Sequence, residues 1–198
     1  SSDKSDPDST NRRVLAFGWE VGGSVYNTAI ALGRLGNRTG LFTGLSTDFF
    51  GDMLREGLKA SKVDLRYIKT WDRPSTLAFV KLTDGHARYS FFDDNSAGRM
   101  LSRRDLPRLE KAVSALHFGS ISLIPEPCGS TYEALMAREH DARVTMLDPN
   151  IRPGFIPDKE RHLARIRRMM AMADKELGAG AGKPAARPGE KSRYRAAR

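Results

Sequence analysis

Gly22-Gly23-Ser24-Val25-Tyr26-Asn27-Thr28-Ala29 is a stretch that could hold a small polar ligand. Paired glycines let a ligand approach the backbone closely, and the free amides of a helix's first turn point at whatever binds there. Asn27 adds a donor and an acceptor, which suits sugar hydroxyls. Read locally, the same residues serve equally well as a plain turn, with Asn27 as a cap. A second candidate is Asp148-Pro149-Asn150-Ile151-Arg152-Pro153, which follows the apolar run Val144 to Leu147. Polar residues at the carboxyl end of a parallel strand sit where open α/β sheets bind ligands. Each proline biases the residue before it, Asp148 and Arg152, toward extended geometry, which stiffens the loop. The plainer alternative is a strand exit with an Asp turn and an exposed arginine.

Other chemistry-bearing residues point nowhere in particular. Gly178-Ala179-Gly180-Ala181-Gly182-Lys183 looks superficially like a phosphate loop, but Leu177 stands at the first glycine position and Pro184 follows the lysine. A true phosphate loop needs Gly there and Ser or Thr after Lys. Asp48 and Asp52 open a helix, where carboxylates favour the positive end of the dipole. Asp93 and Asp94 are expected to be solvated or to form a local turn. His86, His117, His140 and His162 show no paired ligand spacing, and Cys128 has no partner for an internal disulfide.

The elements that would position these residues alternate. Val14 to Phe17 reads as a strand, and Val25, Ala29, Ile30, Leu32 and Leu35 fall at helix-face spacing with Gly36 as a stop. Leu41 to Leu45 reads as a strand, and Phe49, Phe50, Met53, Leu54 and Leu58 mark a helix capped by Thr47 or Asp48. Thr76 to Thr83 and Ala87 to Phe92 form a hairpin turning at Asp84-Gly85. A helix near Leu106 to Val113, a strand at Ala115 to Gly119, a helix near Thr131 to Glu139, a strand at Val144 to Leu147 and a helix over Lys159 to Met172 complete the order. Strands alternating with helices predict a mainly parallel sheet covered on both faces, with the hairpin standing apart.

Both ends differ in composition from this body. Residues 1–13 hold no aliphatic or aromatic side chain, and residues 177–198 are mostly Gly, Ala, Pro, Lys and Arg. Neither can bury enough apolar surface to offset ordering, so both are expected to be disordered, leaving 14–176 as the folded unit. The net charge is +9, and the tail carries six basic residues against Glu190 alone, so five of the nine charges lie there. The body is nearly balanced, which argues against nucleic acid as a partner. No run approaches the ~20 apolar residues of a membrane span, and the polar start does not read as a secretory signal, so a cytoplasmic setting is expected.

Gly22 to Gly36, then Ser46-Thr47-Asp48-Phe49-Phe50-Gly51, then Asp148 to Pro153 resemble, in order and spacing, the landmarks of PfkB sugar kinases. Arg88 to Met100 and His117 to Leu123 resemble the fructokinase branch in particular. The resemblance spans about Phe17 to Glu176. It implies an α/β, three-layer ribokinase-like sandwich, Rossmann-like, with a small β-hairpin lid around 76–92 and an incomplete C-terminus. It implies transfer of a phosphoryl group from ATP, with Mg2+, to a fructose-like hexose. Gly22, Gly23 and Asn27 would contact sugar hydroxyls, Phe91 would belong to the lid, and Asn150 and Arg152 would line the sugar and phosphoryl side. Two copies could pair through the lid.

The departures carry equal weight. Val25 and Ser46 differ from the broad family pattern, and residues 1–13 show no strand leading to a sugar-binding aspartate. The family's Gly-Ala-Gly-Asp motif, whose aspartate takes the proton from the attacking hydroxyl, is absent; Gly178-Ala179-Gly180 is followed by Ala181. The expectation is therefore a catalytically incomplete fragment. The alternative is a non-catalytic sugar-binding or interaction protein derived from a sugar kinase.

Overall fold

The computed structural model describes residues 23–176 other than 84, 85 and 152. The expected strand over Val14–Phe17, Gly22, Arg152, the Asp84-Gly85 turn and both end segments lie outside the described residues.

Helix α1 (Ser24–Arg34) starts after Gly23, whose φ of 143° is open to glycine and strained for other residues. It stops as the sequence predicts. Gly36, at φ 84°, donates to the Gly33 carbonyl and Asn37 donates to Leu32, the paired bonds of a Schellman end. Strand β1 (Thr43–Ser46) leads into α2 (Phe49–Ala60), which returns to β2 (Ile68–Trp71), paired parallel to β1. The α2 cap is Asp48, which accepts from Gly51 N at 2.8 Å. Ala29, Leu41, Leu45, Leu58 and Val63 form the core of this half.

The second half repeats the strand-helix-strand logic. Strand β5 (Ala115–Gly119), α3 (Cys128–Glu139), β6 (Val144–Asp148), α4 (Lys159–Met172) and the short β7 (Lys175–Glu176) give a parallel sheet in the order β5-β6-β7. Phe118, Leu123, Leu135, Met136, Leu147, Ile166 and Met169 make its core. Between the halves stands the hairpin, β3 (Leu77–Thr83) against β4 (His86–Phe92), antiparallel and bonded to no other strand among the described residues. Thr83 pairs with His86, so the connection is two residues long, as the hairpin reading requires.

The expected parallel pairing falls, among the described residues, in two sheets, β1-β2 and β5-β6-β7. One expected helix needs correction and one strand went unread. No helix forms near Leu106–Val113: a turn over Arg103–Asp105, closed by a Ser102/Asp105 capping box, is followed by irregular chain. There the Pro107 carbonyl accepts from the Arg138 guanidinium, the Glu110 carbonyl accepts from Val113 N and the Arg143 guanidinium, and Leu106 and Leu109 pack on the second core. Strand β2 escaped the sequence reading because Ile-Lys-Thr-Trp is short and lies only half-buried or exposed, leaving little alternation to detect.

Candidate functional site

Gly23, Asn27, Phe91 and Asn150 line one groove of about 2760 Å³. The groove therefore gathers four of the six sequence candidates; Gly22 and Arg152 lie outside the described residues. Asn27 sits in the first turn of α1, exposed, and is not a cap: its amide donates to the Gly23 carbonyl at 2.7 Å. Among the described residues its side chain makes no hydrogen bond, and neither does that of Asn150. Two carboxamides with free donors and acceptors thus face the same space.

Asn150 is held by its backbone. Its amide donates to Asp148 Oδ1 at 3.1 Å and its φ is 41°, a left-handed conformation that Asn tolerates better than most residues. Next to it, at the end of β5, Ser120 has φ 65°. Gly119 pairs in register with Asp148, and a Cβ on Gly119 would overlap the Asp148 carbonyl oxygen. Two non-glycine residues in left-handed geometry, at the carboxyl ends of adjacent parallel strands, mark this rim as strained where ligands bind in such sheets. Ser120 and Gly119 were not singled out from sequence; Gly-Ser after an apolar run was the available signal.

The base of the hairpin is tied to the body by hydroxyl and carboxylate groups. Asp93 Oδ1 accepts from Thr76 Oγ1 and from Ser96 Oγ, both at 2.6 Å, so the residues flanking the two lid strands meet on one carboxylate. Asp93 forms the expected local turn, its carbonyl accepting from Ser96 N at 3.2 Å, and its carboxylate is in addition an anchor, whereas Asp94 is exposed as expected. Asp48 joins the same framework: beyond capping α2, it accepts from Ser75 N at 2.8 Å and Ser75 Oγ at 2.7 Å. Burial pushes the Asp48 carboxyl up, but the hydrogen bonds from Gly51 and Ser75 outweigh it and hold it below the ordinary carboxylate value. Phe91 meets Phe155 edge to face, ring centres 4.7 Å apart, which brings the lid against the loop after β6.

His117 and Cys128 are among the titratable groups that border the groove. Burial holds the His117 imidazole below its ordinary value, partly offset by Asp148. Burial pushes the Cys128 thiol up to about 12, so it stays protonated and is no nucleophile. Among the described residues no three His, Cys, Asp or Glu side chains converge as a metal site. No such cluster is therefore on offer among these residues to the Mg2+ that the resemblance implies.

The sequence profile of the pfkB family carbohydrate kinases matches residues 1–192. The chain belongs to that family. It is 55% identical over 168 residues, 85% of this chain, to a fructokinase of Rhizobium leguminosarum bv. trifolii, and covers 52% of that protein. Its fold is that of ribokinase-like sugar kinases. The fructokinase of Xylella fastidiosa superposes with a TM-score of 0.70 at 25% identity, over 78% of this chain and 49% of that one. The fructokinase of Vibrio cholerae O395, solved with fructose, ADP and calcium ion bound, gives 0.68 at 26% identity over 78% and 51%. The chain spans about half the length of these relatives. Among the described residues no helix is long and apolar enough to cross a membrane.

Proposed function

We propose that residues 14–176 form the sugar-holding part of a fructokinase-type enzyme that phosphorylates a fructose-like hexose with ATP and Mg2+. The observation that carries this reading is the pair of unpartnered carboxamides, Asn27 and Asn150, lining one groove under a hairpin whose Phe91 also lines it. Asn27 and Asn150 would exchange donors and acceptors with ring hydroxyls, and Phe91 with Phe155 would cover an apolar ring face. Gly22 and Gly23 would let the sugar approach the backbone, and Arg152 would face the phosphoryl side.

Phosphoryl transfer needs a base for the attacking hydroxyl and donors for the moving phosphate, terms worth about 10²–10⁴-fold and about 10²–10³-fold. Each carboxylate among the described groove residues is already engaged: Asp93 accepts from Thr76 and Ser96, Asp94 pairs with Arg99, and Asp64 and Glu110 pair with Arg66. These residues alone should therefore bind hexose without turning it over. A cytoplasmic setting goes with this reading, as does pairing of two copies through the lid, where Phe79 and Phe92 stack edge to face at 5.4 Å while 45% and 61% exposed.

The test is calorimetric titration of the purified chain with fructose, beside an assay of ADP production with fructose, ATP and magnesium. Saturable fructose binding that falls at least about tenfold in Asn27→Ala and in Asn150→Ala is expected, with no ADP formed. Binding that neither substitution weakens would remove the site, and turnover would show that this chain supplies its own base.

A further inference from the structure

Strands β3 and β4 bond each other and no other strand among the described residues. A two-stranded ribbon is marginal on its own in water, so the angle of this one to the body is set by what holds its base. The backbone ladder ends at the pair Leu77 and Phe92. One step nearer the body, Thr76 and Asp93 are joined through side chains instead: Thr76 Oγ1 and Ser96 Oγ reach the same Asp93 oxygen, and the two hydroxyl oxygens lie 2.9 Å apart. A hydroxyl has one proton to give, so both are spent on this carboxylate, and hydrogen bonds to a carboxylate are roughly twice as strong as neutral ones.

Both chains entering this junction are fixed to the body. On the β3 side the Pro74 carbonyl accepts from Ala97 N at 2.9 Å, and Ser75 is held by Asp48. On the β4 side Asn95, at φ 53°, closes the turn from Asp93 to Ser96; Ser96 and Ala97 are buried, and the Ala97 carbonyl lies so close to Gly44 of β1 that a Cβ there would overlap it. Alternate residues of a strand share a face, so Asp93 and Phe91 lie on one side of β4, with Ala78 opposite Phe91. Thr76, Ala78, Phe91 and Asp93 all line the groove.

We propose that Asp93 is a positioning residue: with Thr76 and Ser96 it latches the lid base so that Phe91 stands over the groove and against Phe155, and it acts through Phe91 without itself holding the sugar. The inference rests on the sugar-site reading for what the lid covers, and on the hairpin base alone for how the lid is held. Thr76 is exposed and Ser96 is fully buried, so Thr76 is the member of the latch that can be changed without disturbing the packing.

The test follows the contact between the Phe91 and Phe155 rings in the full chain by nuclear Overhauser effects, beside calorimetric titration with fructose. The unchanged chain should show the ring contact. Thr76→Val, which keeps the branched shape and removes the hydroxyl, and Asp93→Ala should lose it and bind fructose roughly tenfold more weakly. Thr76→Ser, which keeps the hydroxyl, should retain both. Hydrogen-exchange protection of Phe118 and Leu147, in the second core, should be the same in all of them, which separates a swung lid from a damaged fold. If Asp93→Ala does not fold, Thr76→Val carries the test. The proposal is overturned if the ring contact is absent from the unchanged chain, survives in Thr76→Val, or is lost in Thr76→Ser. Weaker fructose binding with the ring contact intact would overturn it too, because Asp93 would then act on the sugar directly. An unchanged chain that shows the ring contact yet binds no fructose would remove the sugar-site reading and leave the latch to be decided by the ring contact alone.

Discussion

The two halves of the molecule are built alike in topology and differently in chemistry. In the first half the elements approach so closely that glycine replaces side chains at the contacts: a Cβ on Gly33 of α1 would overlap the Ser61 carbonyl oxygen at the end of α2, and one on Gly51 of α2 would overlap the Ser46 carbonyl oxygen of β1. In the second half, α3 and α4 are joined through charge. Arg165, buried inside α4, donates to the Leu123 carbonyl at 2.7 Å, to Ser130 Oγ at 3.1 Å and to Glu133 at 3.3 Å, and pairs with Glu126. The buried charged side chains and the buried histidine of the described residues, Glu139, Arg165 and His162, all belong to this half. One interface should therefore fail on added volume and the other on lost charge.

The largest expected effect is at Arg165. Replacing it with Ala takes the buried cation from Glu126 and Glu133, which keep only the exposed Arg161 and Arg168, and strips the Leu123 carbonyl of the Arg165 donor. Breaking a buried ion pair from one side costs about 3–5 kcal/mol, a Tm loss of roughly 10 °C for a chain of this size. Much of that is the uncompensated partner, so Arg165→Met combined with Glu126→Gln should be less destabilised than the sum of the two single changes. Urea denaturation of the four proteins measures this. Strict additivity would mean the network contributes no coupling and would remove half of the contrast.

Gly33→Ala tests the other half, and here even the sign is informative. In a helix free of contacts, Gly to Ala stabilises by about 1 kcal/mol. Against the Ser61 carbonyl, which is backbone and has little room to move, the added methyl should instead destabilise by about 1–3 kcal/mol. The same urea series decides it; a stabilised Gly33→Ala would show that α1 and α2 are not in backbone contact.

This contrast also explains what the sequence could and could not disclose. Features set by local chemistry were legible: the Gly36 stop, the Asp48 cap, the hairpin, and α4 to the residue. Asn27 and Asn150, named from loops next to strands, line one groove. What failed depends on distant partners. The sequence reading did not single out Arg165, which is buried because Glu126 and Glu133, more than thirty residues earlier, meet it there. Leu106 to Val113 has helical spacing, but its Pro107 and Glu110 carbonyls accept from arginines of a later helix and loop. Asp93 looked like a loop carboxylate because Thr76, its partner, lies across the whole hairpin.

The smallest expected effect is a pH dependence confined to the second half. Residues 23–76 contain no histidine, whereas His117 lies in β5 and His162 in α4. Burial lowers both below the ordinary value of 6.5; for His162 the neighbouring Leu123 carbonyl opposes this, and Arg165 adds to it. The Leu123 carbonyl favours the protonated ring without completing a hydrogen bond, and both ring nitrogens of His162 are buried and unpartnered. Glu126 and Asp158, with Arg99 and Arg161, border the small cavity beside it and set the rest of its field. A depressed histidine means that the unfolded chain takes up a proton near pH 6.5 that the folded chain refuses. Its stabilisation is complete above that value and is lost as pH falls through it toward the lower folded-state value. Stability to urea should therefore be lower at pH 5.5 than at pH 7.5, and the difference should shrink in His162→Gln, which titrates nowhere in this range. The paired comparison with Arg165→Met is the sharper one. With the neighbouring cation gone, His162 accepts a proton more easily, so the pH difference should shrink there too, even though the variant is less stable at both pH values. If the difference instead stays unchanged in both variants, the pH response comes from groups outside this interface, and the charged character of the second half would not extend to its histidine.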